Sequence, residues 1–138
     1  MEVNLLAVLT CGVFSMILGF IWFGPLFGKQ WMKVIGADKN TDSQNKAIQK
    51  TMGPIYAISF VLALFQAYVL AQYINGWQEA SGLENALWIW AAFIIPTVAG
   101  GSMWNNDSPK VIGTRFMILG GYYLILLAVF GLILGTWR

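Results

Sequence analysis

Apolar and polar positions divide this chain into four long apolar runs, separated by one substantial polar connection and two short ones. The runs cover about residues 4–26, 52–74, 83–104 and 111–136, with the long connection at about 27–51. Each run is close to the roughly 20 residues a helix needs to cross the hydrocarbon of a bilayer. The pattern predicts an all-α integral membrane protein. Its expected form is a compact bundle of four transmembrane helices, built as two hairpins in a single membrane domain over residues 1–138. Composition agrees: 58% of residues are hydrophobic and 10% charged, against about 25% charged in ordinary soluble domains.

Within the runs, the residue types predict which faces pack. In the first, Gly12, Ser15, Gly19 and Trp22 follow at spacings of three and four and share one face. Small residues on such a stripe let a neighbouring backbone approach closely, which is how helices associate in lipid. The stretch Gly19–Trp31, G-F-I-W-F-G-P-L-F-G-K-Q-W, places Pro25 where the helix is expected to break, because proline lacks a donor and clashes with the preceding turn. Trp22, Phe23, Phe27 and Trp31 are expected at the bilayer surface, with Lys29 and Lys33 reaching water.

The second run has Pro54 in its first turn, where proline is tolerated. Its Tyr56, Ser59, Ala63, Gln66 and Tyr73 share a face. Gln66 lies deep, and its expected role is a hydrogen bond to another helix. In the third run Trp88 and Trp90 suit an aromatic belt, and Pro96 predicts a kink. The fourth carries a stripe of Gly113, Met117, Gly120, Leu124, Ala128, Gly131 and Gly135, ending in a G-x-x-x-G pair. That pair predicts close helix packing, within the bundle or between subunits. The packing positions are therefore Gly12, Gly19, Gln66, Gly120, Gly131 and Gly135.

Charge then orients the bundle. Of the eight basic residues, Lys29, Lys33, Lys39, Lys46 and Lys50 lie in the first connection, and Lys110 and Arg115 flank the third. The second connection, around Asn75–Glu84, has no Lys or Arg. The positive-inside rule makes connections 1 and 3 cytoplasmic and puts both termini outside. The expected location is a bacterial cytoplasmic membrane. The apolar run after Met1-Glu2-Val3-Asn4 reads as a retained anchor, not a cleaved signal. The lysines alternate with Asp38 and Asp42, which fits a solvated loop and no nucleic-acid partner.

The motif W-F-G-P-L-F-G-K-Q-W at Trp22–Trp31 resembles the opening signature of the domain-of-unknown-function 1761 family of small membrane proteins. The later W-I-W-A-A-F-I-I-P-T of Trp88–Thr97, a short polar turn and a glycine-rich last helix resemble the rest of it. The resemblance covers nearly the whole chain and implies four spans. Many relatives carry tyrosine where this chain has Phe23, so no role for that hydroxyl is transferred. The resemblance brings no reaction, substrate or cofactor.

Candidate chemistry is sparse. There is no histidine, and Cys11 is the one cysteine, so the commonest metal ligand, the usual haem ligand and intrachain disulfides are excluded. The ionisable groups are expected at Glu2, in the connections and at Arg138, with none inside a span. That argues against an enzyme, a proton-coupled exporter and a charge-lined pore, and no cofactor is expected. One constellation remains: Lys29, Lys33, Asn105, Asn106, Asp107, Lys110 and Arg115 at one membrane face, with Trp22, Trp31 and Trp104 nearby. Basic residues beside a membrane attract anionic headgroups, so this is the candidate lipid or interface patch. The sequence thus predicts a non-enzymatic membrane protein that interacts with lipids and other membrane helices. Its expected context is an accessory subunit of a membrane complex, with a homodimer as one possible assembly. The alternative is a small carrier or channel for an uncharged or hydrophobic solute, with the Gln66 face, Pro96 and Tyr122–Tyr123 lining its cavity.

Overall fold

The computed structural model describes residues 2–137 and is helical throughout its ordered elements; Met1 and Arg138, and with them the expected charge at the C-terminus, lie outside the described residues. Helix α1 (Leu5–Ile21) runs into a wide π turn (Trp22–Leu26), then α2 (Gly28–Val34). A short 3-10 turn (Ala37–Lys39) leads to α3 (Asp42–Lys50) and the long α4 (Gly53–Gly76). Next come α5 (Gly82–Ile89), a second π turn (Trp90–Ile94), α6 (Ile95–Met103) and α7 (Pro109–Thr136). Four stretches are long and apolar enough to cross a membrane: Leu5–Leu26, Gly53–Gly76, Gly82–Met103 and Pro109–Thr136. The chain is an all-α integral membrane protein built as a four-helix bundle.

The helix starts follow local chemistry. Asn4 Oδ1 accepts from the Leu6 and Ala7 amides, and Ser81 Oγ from the Glu84 amide, so donors that the first turn leaves free are satisfied. Thr41 and Gln44 form a reciprocal capping box on α3. The two awkward prolines do not end their spans. Pro25 lies within the first π turn, which closes with Phe27 N donating to Trp22 O at 2.9 Å. The wider ring accommodates a residue that cannot donate and whose bulk crowds the turn before it. The second π turn immediately precedes Pro96, which then occupies the first turn of α6.

Helix α7 is the centre of the bundle. It packs against α1, α4, α5, α6 and the surface helix α2. The first and second spans pack on each other as one hairpin, and the third span packs along α7 as the other. The tightest part of the core joins Ala7, Val8, Cys11, Ala67, Leu70, Ala71, Ile74, Ala86, Leu126, Leu127, Phe130 and Leu134. Most of these positions fall in the half of the bundle nearest the described termini, and Leu18 extends the cluster towards the lysine-rich half.

Three asparagines tie the end nearest the described termini together. Asn4 Nδ2 donates to Trp137 O at 3.2 Å, Asn75 Nδ2 to Glu2 O at 3.1 Å, and Asn85 Nδ2 to Trp77 O at 3.2 Å. Asn85 is 4% exposed, so its amide holds the α4–α5 connection from inside. Asn85→Leu is expected to lower stability by about 0.5–1.5 kcal/mol, because the connection loses the bond to the Trp77 carbonyl. Thermal unfolding in mild detergent measures it.

Candidate functional site

A groove of about 1440 Å³ opens along α4, walled on the other side by α1 and α7. Pockets for drug-sized molecules hold about 300–1,000 Å³, so this one is large for a chain of 138 residues. Tyr56, Ser59, Ala63, Gln66, Leu70 and Tyr73 all reach it from α4. Their spacings of three and four residues keep them on one side of a 3.6-residue helix. Helix α1 contributes Ser15, Gly19 and Phe23, and α7 contributes Tyr122, Tyr123 and Leu126. Met52 and Gln49 line the end beside α3.

The groove is polar in places where lipid offers no partner. At 1.5 Å per residue, Gln66 lies about 20 Å from the start of α4 and about 15 Å from its end, near mid-span. Among the described residues, no hydrogen bond links the side chain of Gln66, Ser59, Tyr56, Tyr73, Tyr122 or Tyr123 to the protein. The bond from Gln66 to a neighbouring helix, expected from its depth, is therefore corrected: the groove separates this face of α4 from α7. Ser15 is satisfied differently, donating to its own helix at Gly12 O, 2.7 Å away. A polar group without a partner in an apolar medium costs about 1–3 kcal/mol on protein scales. Each of these side chains is thus a ready donor or acceptor for a molecule in the groove.

Aromatic rings build the wall nearer the lysine-rich end. Tyr122 packs at 5.1 Å from Phe23, 5.1 Å from Tyr123 and 6.4 Å from Trp22, ring centre to ring centre. Phe23 also meets Trp31 at 4.9 Å. Gly19 lies under this cluster, where a Cβ would come 3.6 Å from the Tyr122 hydroxyl. Two tryptophans at the start of the π turns fix the wall to α7. Trp22 Nε1 donates to Ile118 O at 2.9 Å, and Trp90 Nε1 to Gly120 O at 3.0 Å. Gly121 and Gly120 make the room: added Cβ atoms would come 3.1 Å from the Trp22 ring and 3.2 Å from Ile95.

These facts revise the surface patch. Trp22 is turned inward: its ring packs against the core and its indole N–H is satisfied by Ile118 O, as a half-buried indole requires. Asp107 pairs with Arg115 at 2.7 Å instead of facing outward. Asn105 Nδ2 donates to Gly101 O at 2.7 Å and so closes the end of α6. Lys29, Lys33, Lys110 and Asn106 are exposed, as is Trp104, at 87%. Trp31 is turned onto Phe23.

Arg115 also departs from the expectation of no charge within a span. It stands in the second turn of α7, its side chain 14% exposed, and donates to Ser102 O as well as to Asp107. Beside it Ser102, 1% exposed, has an Oγ with no partner. Ser102→Ala is expected to leave stability unchanged or raise it by up to about 1 kcal/mol, since it removes an unpaired buried hydroxyl. A fall in the detergent unfolding midpoint would contradict this.

The glycines mark the closest helix approach. Gly12 faces Leu64 and Phe60 of α4, where a Cβ would come within 2.6 Å and 3.0 Å. Gly131 and Gly135 both lie against Gly82 of α5, and a Cβ on Gly82 would collide with the Gly131 carbonyl. Sequence reasoning missed Gly82, because S-G-L after a polar connection reads as a turn. It also missed Gly121, whose only signal was its place in the G-G-Y-Y run.

A family model described as "Protein of unknown function (DUF1761)" matches residues 6–135. The chain belongs to this family. The match takes in the four spans except Leu5 and Thr136 at their outer ends, both π turns and every wall of the groove. No curated protein and no solved structure matches this family member.

Proposed function

We propose that this DUF1761 protein is a non-enzymatic membrane protein that binds an uncharged lipid in the groove between its first, second and fourth spans. The observation that carries the reading is Gln66, an unpaired amide at mid-span that opens onto a large, mostly apolar cavity. A lipid with hydroxyl or carbonyl groups supplies the missing hydrogen bonds, and its hydrocarbon part fills the remainder. Among the described residues, no Asp, Glu, Lys or Arg lines the groove, which disfavours a charged ligand group at that depth. We place connections 1 and 3 in the cytoplasm, from the lysine distribution. Exposed Lys29, Lys33 and Lys110 then serve as orientation and contact points for anionic headgroups.

The test is retention of copurifying neutral lipid, read by native mass spectrometry of the intact protein in mild detergent. Gln66→Leu should lose most of the bound neutral lipid, while Lys29→Ala with Lys33→Ala should keep it. A wild-type protein that carries no neutral lipid, even after incubation with a diacylglycerol or a glucosylceramide, would remove the proposal.

A further inference from the structure

The polar groups in the groove are not gathered at one depth. Tyr56, Ser59, Gln66 and Tyr73 extend along one face of α4 over 17 residue steps, about 26 Å. That approaches the roughly 30 Å thickness of bilayer hydrocarbon. A seat for one headgroup needs partners at one level; partners at four levels make a path. The path is also open at the side. Its rims include Phe20, Leu62 and Phe65, all well exposed to the surroundings of the bundle. Tyr122 and Tyr123 face it from α7 without hydrogen-bond partners in the protein.

Resting on the reading that the groove binds an uncharged lipid, we infer that it carries that lipid's headgroup between the two leaflets. The tails remain in the bilayer, outside the rims. The barrier to moving a hydroxylated head through hydrocarbon is the loss of its hydrogen bonds to water. Ser59, Gln66 and the tyrosines replace those bonds in succession, so the head is never wholly stripped of partners. No energy source is needed, and the movement runs down the gradient of the lipid between leaflets. The absence of charged side chains among the described lining residues sets the selectivity: uncharged heads pass and ionised heads are refused.

The test uses full-length protein reconstituted in phosphatidylcholine vesicles with a trace of glucosylceramide labelled on its acyl chain with NBD. Dithionite added outside quenches only label in the outer leaflet, so loss of the protected fraction measures exchange. Exchange well above that of protein-free vesicles is expected, and acyl-NBD phosphatidylserine should stay near the protein-free rate. Gln66→Leu should slow the exchange about tenfold, corresponding to about 1.4 kcal/mol of barrier, and Gln66→Asn should restore most of it. Ser59→Ala, at an exposed position on the groove face of α4, gives a second slowed variant if Gln66→Leu does not fold. Equal exchange of both labelled lipids, or variants as fast as wild type, overturns the inference. Retained glucosylceramide without exchange overturns the path and leaves the binding site standing; neither retention nor exchange removes both.

Discussion

Gly131→Ala, one added methyl group, is expected to destabilise the bundle by about 1–3 kcal/mol, towards the upper end of overpacking costs. A Cβ at Gly131 would come 2.5 Å from Gly82 O and 2.8 Å from Ala86 Cβ. The obstacle is largely backbone, so no side-chain rotation relieves it. Helices α5 and α7 must separate, and they lose the dispersion contacts that hold helices together where lipid tails are as apolar as the partner. Gly82→Ala should behave alike, since its Cβ meets Gly131 O and the Gly135 backbone. Gly113→Ala, also in α7, should do the opposite. No atom lies within 4 Å of its added Cβ, so only the helix preference of alanine over glycine remains, about 0.5–1 kcal/mol in favour. Thermal unfolding in one mild detergent, followed by circular dichroism, compares the three. Equal midpoints for Gly131→Ala and Gly113→Ala would show that the α5–α7 crossing does not exist in the folded protein.

Trp22→Ala is the second large effect, an expected loss of about 3–5 kcal/mol. The ring packs on Phe27, Tyr122 and Gly121, and its N–H bonds Ile118 O, so truncation empties the junction of the first π turn, α2 and α7. Trp22→Phe separates the two contributions. It keeps most of the ring contacts and removes the donor, at about 0.5–1.5 kcal/mol, because Ile118 O remains within the hydrogen-bonded ladder of α7. Trp90→Phe should cost a similar amount through Gly120 O. The same unfolding measurement ranks the variants. If Trp22→Ala and Trp22→Phe were equally mild, Trp22 would be a surface ring, as its sequence context alone suggested.

Much of the membrane architecture was legible before any coordinates. The apolar runs mark the four crossings, and the polar D-K-N-T-D-S-Q-N stretch marks the part that leaves the membrane. The periodicity of Tyr56, Ser59, Gln66 and Tyr73 placed them on one face, and they do share the groove. Whether that face met another helix or an opening was not legible. A glutamine at mid-span looks the same in either case until the distance to its neighbours is known. Trp22 misled for a related reason: a tryptophan near a lysine-bearing helix end fits a surface belt, and only the position of Ile118 O draws its indole inward.

The sequence by itself determined that this chain is helical, crosses the membrane four times and keeps almost all charge near the helix ends. Those properties follow from transfer between water and lipid, which each segment undergoes largely on its own. Only the tertiary structure decided that α7 lies at the centre, that Gly82 receives Gly131 and Gly135, and that a groove opens along the polar face of α4. Inside the bilayer a leucine is equally at home against lipid or protein. Helix choice there rests on shape and on single hydrogen bonds, and these exist only between surfaces already brought together.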